Sequence, residues 1–101
     1  MAMNKLHGEY KIPGGKLVQV DLLLRDEQLA EVQVSGDFFL EPPEAIAAIN
    51  AALEGQPASA DEDTLAASIQ AALPADVAMY GITPEGVAVA VRRALEQDGQ
   101  S

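Results

Sequence analysis

The dipeptide Pro42-Pro43 divides the chain into two parts written in different periods. Proline has no amide hydrogen for a strand ladder, so a sheet stops there, whereas Pro43 suits the first turn of a helix, where that hydrogen would have no partner. Upstream, apolar residues alternate. The run from Leu17 to Leu24 places Val18, Val20, Leu22 and Leu24 on one face and Leu17, Gln19, Asp21 and Leu23 on the other. After the polar turn Arg25-Asp26-Glu27-Gln28, the residues Ala30, Val32, Val34, Gly36, Phe38 and Leu40 share a side opposite Glu31, Gln33, Ser35, Asp37 and Phe39. These runs predict an antiparallel β-hairpin, to which Tyr10 to Ile12 can add a short third strand. A sheet of that size is not stable until something covers its apolar face.

The second part supplies the cover. Ile46, Ile49 and Leu53 recur at helical spacing, and Gly55 reads as the stop. Beyond a loop through Gln56-Pro57-Ala58, Ser59 and Glu62 have the spacing of a capping box, with Asp61 and Asp63 as alternative caps. The helix they introduce carries a stripe of Leu65, Ile69, Ala72 and Leu73 and ends at Pro74. Asp76 to Tyr80 is too short to separate a small strand from an extended linker. Thr83-Pro84-Glu85 reads as a cap, a first-turn proline and an acidic residue at the positive end of a helix dipole. Val87, Val91, Ala94 and Leu95 form that helix's stripe, and Arg92 and Arg93 fall toward its C-terminal end, where positive charge is favoured. The expected fold is α+β, an antiparallel β-hairpin or three-stranded meander covered on one face by about three α-helices. It occupies residues 8–97, between flexible tails at 1–7 and 98–101.

A chain of 101 residues has room for one core. Apolar residues make up 49% of it, but 18 of them are alanines, which bring little area to bury. With Tyr10, Phe38, Phe39 and Tyr80 as the aromatic residues, a partner that covers part of the surface adds to stability by mass action. Lys and Arg total 6 against 16 Asp and Glu, a net charge of -10. That balance argues against nucleic acid and against an anionic membrane surface, and favours a basic surface on another protein. The lack of cysteine removes disulfides, thiolate catalysis and sulfur-ligated metals, and the single histidine, His7, cannot form a histidine metal cluster. No apolar run approaches the roughly 20 residues that cross a bilayer. The N-terminus lacks a signal peptide's apolar segment, so a cytoplasmic location is expected.

No catalytic set is legible. There is no nucleophile elbow, no histidine to pair with a serine and no His-Glu metal pair. Ser35-Gly36-Asp37 is accounted for by a strand-end turn, and Asp61-Glu62-Asp63 by capping of a helix start. "IPGGKL" is more informative. Pro13 fixes one backbone angle, Gly14 and Gly15 are free to take positive φ, and Lys16 follows with an ammonium group. Such a loop can aim amide hydrogens and a cation at an anion, or it can be a tight turn with a solvated lysine. It differs from a Walker A loop in length, in lacking the trailing Ser or Thr, and in preceding a strand. In "SGDFFLEPPE" the alternation turns Phe38 inward and leaves Phe39 on the polar face beside Asp37, which fits a protein interface. A bulge at Gly36 or a covering helix would bury both rings instead.

"YKIPGGKLVQVDL", followed at hairpin distance by "EVQVSGDFFLEPPEAI", resembles the small accessory domain of lipoate-protein ligase A, here as a separate chain. The resemblance runs from about Gly8 to Leu95, and the helical half, including "YGITPEGVAVAVRRAL", agrees in layout. It implies a noncatalytic accessory subunit that docks on a large catalytic subunit and supports ATP-dependent formation of lipoyl-adenylate before lipoyl transfer. Lipoyl acceptor domains would be met only indirectly. ATP, magnesium and lipoate belong to the complex, and none is expected to bind this chain alone. The resemblance places Gly14, Gly15 and Lys16 at the cofactor side of the junction with the large subunit. It places Lys11, Asp37 and Phe39 at the partner interface. The alternative is an acidic, noncatalytic interaction domain unrelated to lipoylation. An acyl-carrier-like protein fits poorly, because the first half reads as strands and no serine sits in an Asp-Ser-Leu context.

Overall fold

The computed structural model describes residues 5–98. Strand β1 (Lys5–Lys11), β2 (Leu17–Arg25) and β3 (Gln28–Gly36) form an antiparallel sheet in the order β1-β2-β3. The chain continues through β4 (Phe39–Glu41), α1 (Ala45–Leu53), α2 (Glu62–Ala72), β5 (Ala78–Tyr80) and α3 (Pro84–Asp98). The α+β architecture read from the sequence is therefore present. Its third strand is longer than expected, because β1 begins at Lys5, inside the stretch read as a tail, and residues 1–4 lie outside the described part. At the other end, α3 runs through Asp98, one residue into the expected tail, and 99–101 lie outside the described part.

Alternation holds along β2 as far as Leu22, with Val18, Val20 and Leu22 all fully buried. It fails in β3. The register shifts between Asp21 and Leu23, and Glu31 takes a left-handed φ of 50°, so one residue is inserted into β3 as a bulge. Leu29 therefore points into the core together with Val32 and Val34, while Ala30, expected on the core face, is only half-buried. Leu23 is buried as well, although alternation assigns it to the outer face. The β2–β3 connection puts Asp26 and Glu27 at φ 55° and 63°, the mirror-image turn whose twist matches that of a two-residue hairpin.

The outer edge of β3 is closed by α1 and the loop after it. Asn50 Oδ1 accepts from the Val34 amide at 3.0 Å and Glu54 Oε2 from the Val32 amide at 3.2 Å. The Gly55 amide donates to the Leu29 carbonyl at 2.8 Å, the Leu29 amide to the Gln56 carbonyl at 2.9 Å and the Ala58 amide to the Glu27 carbonyl at 2.8 Å. An edge closed this way offers no ladder to another chain.

Helix α3 lies across β1 and β2, α2 packs on α3, and α1 joins α2 to β3. Alanine makes this close packing possible. Ala88, Ala90 and Ala94 of α3 are fully buried, and a Cβ placed on Gly8 of β1 would stand 2.2 Å from the Ala90 carbonyl oxygen and 2.5 Å from the Ala94 nitrogen. Only glycine fits that approach. The caps follow local chemistry: Thr83 Oγ1 accepts from the Gly86 amide at 3.0 Å, and Asp61 Oδ1 accepts from the Thr64 amide at 2.8 Å, so Asp61 rather than Ser59 caps α2. Ala66 takes the buried place expected of Ala72, which is exposed. Pro42 and Pro43 form a turn ahead of α1, which starts at Ala45. The arginines of α3 lie upstream of its last turn. Arg92 Nη1 instead donates to the carbonyls of Ala58 at 2.7 Å and Ala60 at 3.1 Å, and Arg93 Nη1 donates to the Glu9 backbone carbonyl at 3.1 Å while its guanidinium lies 4.9 Å from the centre of the Tyr10 ring.

Candidate functional site

Three segments far apart in sequence meet at one end of the molecule. The first is the β1–β2 turn. Pro13 and Gly14 occupy its corners, Gly14 at φ 74°, and the Gly15 amide closes it onto the Ile12 carbonyl at 2.8 Å. Proline then glycine at those two corners is the signature of a type II turn. The Ile12 amide donates to the Lys16 carbonyl at 3.2 Å, and the Ile12 side chain is buried against Gly86 at the start of α3.

The second segment is β5 with the glycine after it. The Lys16 amide donates to the Gly81 carbonyl at 2.9 Å. Gly81 has φ 82°, and a Cβ there would stand 2.3 Å from Lys16 Cγ, so the lysine methylenes lie directly on the glycine. The third segment is 36–41, where the Asp37 amide donates to the Leu17 carbonyl at 3.3 Å and β4 pairs with β5, Phe39 opposite Tyr80. The stretch 76–80, undecided from sequence, thus contributes a strand. Phe39 does not extend β3, which ends at Gly36.

Lys16, Asp37 and Phe39 are brought together by this convergence. Lys11 stands opposite Leu17 in register, and its Nζ donates to the Ile12 carbonyl at 3.4 Å. Gly14 and Gly15 shape the turn. The Gly15 and Lys16 amides donate to carbonyls within the chain, so neither is free to bind an anion. Sequence reasoning missed Tyr80. Phe39 and Tyr80 are the large apolar side chains left exposed among the described residues, at 54% and 56%, and their ring centres are 5.8 Å apart at a 37° tilt. The signal was a short alternating run ending in an aromatic before a glycine, which means nothing until a partner strand is known.

The neighbouring surface is chemically quiet. A shallow pocket of about 280 Å³ between the turn and α3 is lined by Tyr10, Ile12, Pro13, Thr83, Glu85, Gly86 and Val89. On the open sheet face, His7 Nδ1 lies 2.8 Å from Asp21 Oδ1 and His7 Nε2 lies 2.8 Å from Glu9 Oε2. Hydrogen bonds to Glu9 and then Asp21 hold the imidazole pKa above its ordinary 6.5. The two carboxylates address opposite ring nitrogens, and among the described residues no three His, Cys, Asp or Glu side chains converge as metal ligands. No helix among the described residues is long and apolar enough to cross a membrane.

No protein-family model matches the chain, and no curated protein matches it significantly. A solved structure does. It is a chain from an archaeal lipoylation system, a bi-partite lipoate protein ligase and its E2 lipoyl domain from Thermoplasma acidophilum, with a TM-score of 0.63 and 24% identity. The match covers 90% of this chain and 96% of that one, so the two share a fold over nearly their whole lengths.

Proposed function

We propose that this chain is the noncatalytic accessory subunit of a two-part lipoate-protein ligase. It docks on a large catalytic subunit in the cytoplasm and supports ATP-dependent formation of lipoyl-adenylate, before the lipoyl group passes to an acceptor protein. The observation that carries this reading is the fold shared over 90% of this chain with a chain of the Thermoplasma system, whose ligase is bi-partite. In this reading the donors for ATP, magnesium and lipoate belong to the large subunit.

In this reading the end formed by the β1–β2 turn, β4 and β5 faces the large subunit. The turn is held at Ile12 and Lys16, and in this reading that fixed backbone serves to direct Lys16 toward the adenylation site of the large subunit. Lys11 and Asp37 lie at the margin of the same contact. The docked subunit orders loops of its partner and excludes water from the mixed anhydride, which would otherwise hydrolyse.

The test is lipoate-dependent pyrophosphate exchange by the large subunit with and without this chain. Stimulation by the added chain is expected. Equal rates at saturating substrates, with complex formation verified, would refute the accessory role and leave an interaction domain that serves some other partner.

A further inference from the structure

Resting on that function, we propose that Phe39 and Tyr80 act as one aromatic anchor that seats in an apolar recess on the large catalytic subunit, and that the rim of this recess is basic. The pair is a rigid object. It is fixed by the cross-strand register of β4 and β5, by burial of Leu40 beneath the ribbon, and by the Lys16 amide bonded to Gly81 immediately after Tyr80. Rings held this way lose little conformational freedom on binding, which favours affinity. Their position is not explained by the fold. The core contacts of the ribbon are Leu40 and its half-buried neighbour Met79, and each ring leaves more than half of its surface in water.

The surrounding charges select the occupant. Exposure alternates through the segment: Asp37, Phe39 and Glu41 are exposed, Phe38 is half-buried and Leu40 is buried. Glu41, two residues beyond Phe39 in β4, therefore shares its side, and the exposed Asp37 precedes Phe39 in the adjoining bend, the two carboxylates bracketing it within at most about 14 Å of extended chain. The ion pairs among the described residues lie elsewhere, joining His7 to Glu9 and Asp21 and Arg25 to Glu31, so both bracketing carboxylates are available to a partner. Glu44 adds a further exposed carboxylate, and Lys16 is the cation beside the ribbon. A second copy would bring the same carboxylates to face their own kind on a chain of net charge -10, so self-association through this face is opposed. An apolar recess with arginines or lysines on either side is what the patch complements.

The experiment uses the purified large ligase chain of the same organism as the probe, with affinity read by calorimetry and function by pyrophosphate exchange. Phe39→Ala and Tyr80→Ala are each expected to weaken binding about 30-fold or more, as centrally placed aromatic anchors do. Arg25→Gln, at the far hairpin tip, is expected to bind as wild type. Asp37→Asn with Glu41→Gln is expected to slow association and to flatten its dependence on salt. In pyrophosphate exchange the aromatic variants shift the concentration of this chain needed for half-maximal stimulation and leave the plateau unchanged. Circular dichroism confirms that each variant is folded. Binding of folded Phe39→Ala and Tyr80→Ala within about twofold of wild type would overturn the anchor while the accessory function stands. A complex that never forms would overturn both. Sedimentation showing a wild-type dimer that Phe39→Ala dissolves would overturn the anchor in favour of a second copy.

Discussion

The two sheets of this protein put alternation to different uses. In the larger one, Val18, Val20 and Leu22 are fully buried under α3 while His7, Glu9 and Asp21 meet solvent on the other face. In the ribbon of β4 and β5, Leu40 goes inward and two aromatic rings go outward. Both arrangements are alternation, but only the larger sheet uses it to hold the molecule together. Its outer β3 edge is also closed by Asn50, Glu54 and the loop from Gly55 to Ala58. Stability is concentrated in the large sheet, and surface available for recognition in the small one.

Truncating the large sheet should have the largest effect. Leu22→Ala removes a fully buried side chain and is expected to lower unfolding free energy by about 2–5 kcal/mol, read by chemical denaturation. A loss below about 1 kcal/mol would show that the core under α3 is loosely packed. Next comes the closed edge. Asn50→Ala leaves the Val34 amide without its partner, with an expected loss of about 1–3 kcal/mol and faster hydrogen exchange at Val34 and its neighbours. Unchanged exchange would mean that water serves that edge as well as Asn50 does.

The ribbon should respond weakly in the same assay. Phe39→Ala removes a cross-strand pairing, and its effect on stability is expected to stay below about 1 kcal/mol. A loss as large as that of Leu22→Ala would abolish the contrast and make the ribbon part of the core. The smallest effect concerns pH. The folded pKa of His7 is raised above 6.5 by its bonds to Glu9 and Asp21, so its contribution to stability is fully present below pH 6.5 and is lost as pH rises through the folded value. The stability difference between wild type and His7→Gln should shrink across that window, and the histidine ring signals in a proton NMR titration should move with a midpoint above 6.5. A midpoint at or below that value would separate His7 from its carboxylates in solution.

The meander, the helices, the stop at Pro42-Pro43 and the Pro13-Gly14 turn were legible in the sequence because each is a local matter. Periodicity of two or 3.6, a fixed proline φ and a hydroxyl or carboxylate ahead of a helix act within a few residues. The same local reasoning singled out Lys16, Asp37 and Phe39 but could not place their segments side by side. What it missed had long-range causes. Glu31 does not advertise a bulge, because the inserted residue is decided by which of Leu29 and Ala30 fits under the sheet. Gly8 looks like an ordinary strand residue until α3 presses its backbone against it. Residues 78–80 become a strand only because β4 lies beside them, and that pairing is what makes Tyr80 the neighbour of Phe39. By itself the sequence determined which elements form and which side chains are charged, apolar or conformationally restricted. The tertiary structure decided their partners, because a three-residue strand or an edge amide has too little local free energy to select one, and packing across the whole chain supplies the rest.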